Sequence, residues 1–96
     1  MKGNKNGWLV GSASDFLDLS AEESAYVELK VSLSRYLHQA RTEKHWTQEQ
    51  LARKLKSSQS RVAKMEKGDP SVSVDLLIKS LFALGTSKNE LAKAIQ

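Results

Sequence analysis

The chain has 96 residues, 40% of them hydrophobic and 27% charged, with no cysteine. That suffices for one small core and excludes disulfides, thiolate chemistry and cysteine-ligated metals. The net charge of +4 conceals an asymmetry, because residues 1–28 sum to −3 and residues 29–96 to +7.

An acidic head therefore precedes a basic body. No apolar run reaches the roughly eighteen residues of a membrane span, and the N-terminus lacks the apolar core of a signal peptide. The expectation is a cytoplasmic protein with no membrane association.

Residues 1–19 read as an N-terminal extension. "KGNKNG" has nothing to bury; Trp8, Leu9 and Val10 then form a short apolar patch with room for a very short strand. Such a patch either packs back on the domain or waits for a partner. Ser14 before "DFLDL" has the form of an N-cap for one helical turn, and Ser20 with Glu23 forms a capping box that opens a longer helix over residues 21 to about 44. Its apolar positions Tyr26, Leu29, Leu33, Tyr36, Leu37 and Ala40 recur at steps of three and four. This predicts one packed stripe, with Lys30, Arg35 and Arg41 off its centre.

After a break at His45 and Trp46, Thr47 caps a helix through Leu55 that buries Leu51, Ala52 and Leu55. A second short helix runs from about Ser58 to Lys67, with Val62 and Met65 inward. Gly68, Asp69 and Pro70 stop it. Ser73 caps a helix whose core positions are Val74, Leu77, Leu81 and Leu84, ended by Gly85. "SKNE" at residues 87–90 is a second capping box, opening a last helix with Leu91, Ala94 and Ile95. The predicted fold is all-α: a five-helix bundle over residues 20–96, with the extension in front.

The two short helices at residues 47–68 have too few apolar positions to bury both faces. Between residues 53 and 67, Arg53, Lys54, Lys56, Arg61, Lys64 and Lys67 meet one acid, Glu66, which suits a polyanionic partner. Ser60, Lys64 and Lys67 share the outward face of the second helix, flanked by Gln59 and Ala63. A Gln amide pairs bidentately with adenine N6 and N7, a Lys reaches guanine O6 or N7, and Ser serves either. The free N–H groups at the helix start favour a phosphate. A solvated helical hairpin explains the same row without DNA.

These residues resemble the helix-turn-helix domain of phage repressors and Cro, the XRE family. The resemblance covers residues 35 to about 85 through "TQEQLARKL", the turn "KSSQ", "SRVAKMEKG" and "SVDLLIKSLFALG". It implies a repressor-like bundle that binds double-stranded DNA as a homodimer on a pseudopalindromic operator. It further implies base contacts from Gln59, Ser60 and Lys64 and phosphate contacts from Thr47, Gln48, Ser58, Arg61 and Lys67. Arg41 and Glu66 stand where the family places a scaffold ion pair. One departure is Lys56, at the turn position that usually holds a glycine with positive φ; left-handed geometry costs a non-glycine residue roughly 1–2 kcal/mol.

"DFLDLSAEESAYVELKVSLS", residues 15–34, further resembles the segment preceding the DNA-binding domain in HigA-type antitoxins, which are partnered by RelE-like toxins. The implied role is an antitoxin repressing its own operon. Five carboxylates without a base between Asp15 and Glu28 would complement a basic toxin, with Trp8, Leu9, Phe16 and Leu17 as apolar anchors. The alternative for Phe16 and Leu17 is to cap the core.

No catalytic constellation is found, and no cofactor is expected. His38 and His45 are seven residues apart without acids in metal-ligand spacing. His38 belongs on a wet flank, and His45 beside Trp46 reads as packed at a helix terminus. A phosphate cradle, a nucleophile elbow and a calcium loop are all missing. The competing function is a protein-interaction domain that keeps a helix-turn-helix scaffold without specific DNA binding.

Overall fold

A computed structural model describes residues 20–96. The helical turn expected at residues 15–19, the short strand near Trp8, and the anchors Trp8, Leu9, Phe16 and Leu17 all lie outside these residues. The described residues form five helices and no strand: α1 (Ala21–Glu43), α2 (Gln48–Leu55), α3 (Gln59–Lys67), α4 (Val74–Ala83) and α5 (Lys88–Ala94).

Each helix begins at a hydroxyl. Ser20, Thr47, Ser58, Ser73 and Ser87 accept a hydrogen bond from the backbone N–H three residues on, satisfying a donor that the helix itself cannot. Ser20 with Glu23, Thr47 with Gln50 and Ser87 with Glu90 complete reciprocal capping boxes.

The endings share a second device. In α1 to α4 a residue with positive φ follows the helix: His45 (+59°), Lys56 (+55°), Gly68 (+69°) and Gly85 (+93°). Beyond each, an N–H reaches back five residues, from Trp46 to Arg41, Ser57 to Ala52, Asp69 to Lys64 and Thr86 to Leu81. These are Schellman endings, which return the chain sharply.

The short connections fold α2, α3 and α4 against the C-terminal part of α1. Leu33 and Leu37 of α1 meet Leu51 and Ala52 of α2, Val62 and Met65 of α3, and Leu77, Leu81 and Leu84 at α4. Val72, in the α3–α4 loop, joins them although no periodicity marked it.

Three expectations fail. Tyr26 was placed on the packed stripe but is 50% exposed, because the first turns of α1 project beyond the core and the stripe becomes buried only near Leu29. Lys30 was expected off the stripe's centre and is instead 9% exposed. The α3–α4 loop crosses it, and its Nζ donates to the Asp69 carbonyl at 2.8 Å. His45 is exposed rather than packed; it sits in the left-handed turn after α1, and its neighbour Trp46 packs on the core in its place. No helix among the described residues is long and apolar enough to cross a membrane.

Candidate nucleic-acid interface

The placement of α3 follows from its inward face. Val62 and Met65 are buried, which leaves Gln59, Ser60, Arg61, Lys64 and Lys67 exposed on the other side. Ser58 Oγ accepts from the Arg61 N–H at 3.1 Å. The first N–H groups of the helix, at Gln59 and Ser60, remain outside the intrahelical ladder and point toward any anion at that end.

Glu66, the acid within the basic stretch, is turned away from this face. Its carboxylate accepts from Arg41 Nε at 2.6 Å and Arg41 Nη2 at 3.1 Å, with side chains only 12% and 5% exposed for Arg41 and Glu66. Arg41 Nη1 also donates to the Trp46 carbonyl at 2.7 Å. The guanidinium thus ties α3 to α1 and holds the turn that leads into α2. Because Glu66 is consumed inside, the surface formed by Arg53, Lys54, Lys56, Arg61, Lys64 and Lys67 is cationic without an interleaved acid from that stretch.

Gln48 extends the same network outward. Its Nε2 donates to Glu66 Oε1 at 3.1 Å, and its Oε1 lies 3.5 Å from Gln59 Nε2, at the outer limit of a hydrogen bond. The starts of α2 and α3 are therefore side by side, with Gln48 half-buried and Gln59 exposed. Thr47 Oγ is engaged as the cap of α2, accepting from the Gln50 N–H at 3.1 Å.

Ser58, Ser60, Arg61 and Lys64 line one concavity of about 340 Å³ with Ser71 and Val72. Ser71 joins them although no helical periodicity marks it. The signal was local: Asp69 Oδ1 accepts from the Ser71 N–H at 2.8 Å and Oγ at 2.7 Å, an Asx turn encoded by Asp-Pro-Ser after Gly68. The Ser71 hydroxyl and N–H, with nearby Lys64 and Lys30, hold the Asp69 carboxyl below its ordinary pKa. Lys67 stands apart from this concavity, about 12 Å along the helix from Gln59 at 1.5 Å per residue.

Among the described residues no group of three or more His, Cys, Asp and Glu is arranged to hold a metal ion. What the arrangement offers is a helix N-terminus, hydroxyls, amides and cations on one convex edge beside a concavity. Those groups fit the donors, acceptors and phosphates of a nucleic-acid groove.

A family model described as helix-turn-helix covers residues 37–91, which takes in the last seven residues of α1, both helices of the pair, α4 and the start of α5. No match was found among curated proteins or solved structures.

Proposed function

The chain belongs to the helix-turn-helix family, DNA-binding regulators of the XRE type, and from that premise we propose that it reads a specific operator as a homodimer and represses its own operon. The observation that carries this reading is the sequestration of Glu66 by Arg41, which presents α3 as an acid-free face with Gln59 and Lys64 outward. Gln59, Ser60 and Lys64 take the base edges. Thr47, Gln48, Ser58, Arg61 and Lys67 take phosphates. Two copies set their α3 helices about 34–36 Å apart, one turn of duplex.

The regulatory reading extends to an antitoxin paired with a basic, RelE-like toxin. Its support is the acidic head, whose described part exposes Glu22, Glu23 and Glu28 beside exposed Tyr26 and Val27. Co-expression with the product of the adjacent gene tests it: growth rescue and a stable complex are expected, and the absence of both removes the antitoxin role while leaving the DNA reading intact.

The DNA reading is tested by titrating the protein against a fragment from upstream of its gene, at two salt concentrations, with scrambled competitor. Saturable binding that resists the competitor is expected. Gln59→Ala or Lys64→Ala should weaken cognate binding by about 1–3 kcal/mol, whereas Arg61→Ala should act on every sequence and shallow the salt slope. Equal losses on all DNA from all three variants would favour the interaction-domain alternative.

A further inference from the structure

A cleft of about 370 Å³ opens where the α2–α3 turn faces α4, a volume within the range of small-molecule sites. Its base is apolar. Met65 is buried there, Leu55 and Leu76 are half-buried, and Ala83 is exposed at one end. Its rim is cationic: Lys54, Lys56, Arg61 and Lys79 surround it, and no acid lines it.

Two further observations concern how these groups are committed. Lys79 pairs with Asp75 at 3.1 Å, but the two side chains are 74% and 75% exposed; such a pair constrains the ammonium weakly. At the base, Ser80 is 3% exposed and its Oγ donates to Met65 Sδ at 3.7 Å. A thioether is a weak acceptor, so the bond closes the base of the cleft without adding charge there.

DNA phosphates account for the cations but not for the apolar base. Contact with a duplex backbone makes no use of Leu55, Leu76 and Ala83. An occupant matching both the cationic rim and the apolar base carries negative charge at one end and apolar surface at the other.

We propose that this cleft binds a small amphipathic anion, a carboxylate on an aromatic or branched aliphatic body. The body covers Leu55, Leu76 and Ala83, and the carboxylate meets the lysines and Arg61. Arg61 also belongs to the proposed DNA face, so on that reading ligand and operator compete. The site itself does not depend on DNA binding, and its test omits DNA.

The probe is 2-naphthoate, titrated into the full chain and followed by two-dimensional amide NMR. Its comparators are 2-naphthalenemethanol, which keeps the body without the charge, and acetate, which keeps the charge without the body. Saturable shifts at Lys56, Ser57, Leu76 and Ser80 are expected, with each comparator weaker by about tenfold or more. Lys79→Glu and the cleft-filling Ala83→Phe should each weaken naphthoate by about tenfold, while Lys88→Glu, an equal charge change on α5, should leave it unchanged. Acetate as effective as naphthoate would reduce the site to counter-ion attraction and overturn the proposal. So would an equally effective alcohol, shifts spread over the whole basic surface, or no shift at millimolar probe.

Discussion

Helices α1 and α2 end in the same backbone geometry as α3 and α4, yet the first two place His45 and Lys56 where the second two place Gly68 and Gly85. The back-reaching bonds are alike, at 3.2 and 2.8 Å for α1 and α2 and 3.1 Å for both α3 and α4. Glycine adopts the left-handed region without steric cost; a residue with Cβ does so at about 1–2 kcal/mol. The first two endings must therefore be enforced by their surroundings. For α1 the enforcer is visible, since Arg41 reaches past His45 to the Trp46 carbonyl while locked to Glu66. For α2 it is the packing of Leu51 and Ala52 against α3 and α4, which fixes where the chain must turn.

The severest way to break that comparison is to cut the lock. Arg41→Ala or Glu66→Ala strands the other charge in a site that is nearly closed to water, and the expected loss is about 3–5 kcal/mol in denaturant unfolding. Removing both should cost less than the two single losses added together, because neither charge is then left unpaired. Single losses below about 1 kcal/mol would mean the pair behaves as a surface bridge and that something else holds the α1 ending.

Next come the glycines themselves. A Cβ on Gly68 would lie 3.4 Å from Ser34 Oγ, an ordinary contact, and one on Gly85 would meet nothing within 4 Å. Space therefore does not decide, and backbone conformation does. With φ at +93°, Gly85 is further than Gly68 from the left-handed minimum near +57°. Both Gly→Ala variants should lose about 0.5–1 kcal/mol net, strain of about 1–2 kcal/mol being partly offset by the stiffer unfolded chain, Gly85→Ala the more, by thermal unfolding. The reverse order would show that the contact with Ser34 governs.

Lys56→Gly and His45→Gly run the comparison backwards. Relief of about 1–2 kcal/mol of strain is partly offset by the greater freedom of glycine in the unfolded chain, roughly 0.5–1 kcal/mol. Net gains of about 0.5–1 kcal/mol are expected, a rise of a few degrees in Tm. A fall in Tm for Lys56→Gly would mean the lysine side chain supplies a contact worth more than the strain.

These endings also show where the sequence is legible. Ser and Thr caps and the two glycine stops can be read directly, because each acts within three to five residues. The left-handed Lys56 came from the family resemblance, and the left-handed His45 was not foreseen at all. Arg41 and Glu66 lie 25 residues apart, so only the resemblance joined them. Lys30 is the plainest failure: its burial depends on a loop carbonyl 39 residues away, which no periodicity on α1 encodes. Gln48 was read as a phosphate contact without any sign that it also bridges Glu66 toward Gln59. Local chemistry sets the elements and their glycine stops, and the turns at His45 and Lys56 are set by contacts between elements.

The gentlest perturbation is acid. The Ser71 hydroxyl and N–H hold the Asp69 carboxyl below its ordinary pKa, and the Ser87 N–H and hydroxyl do the same for Glu90. A carboxyl with a lowered folded pKa stabilises the fold fully above its unfolded pKa, and that contribution is lost as pH falls through the folded value. Stability should therefore be level near neutrality with respect to these two groups and decline below roughly pH 4. Ser71→Ala removes the hydroxyl bond to Asp69 and should make the decline shallower while leaving the Gly85 ending, on another loop, untouched. The Asp69 loop carries the α3 ending and accepts the Lys30 ammonium. Urea unfolding of Ser71→Ala across pH 3 to 7, about the range over which carboxyls titrate, should converge on the unsubstituted protein at the acid end. Parallel curves throughout would assign the acid sensitivity to other carboxyls and leave the Asp69 turn held by backbone geometry alone.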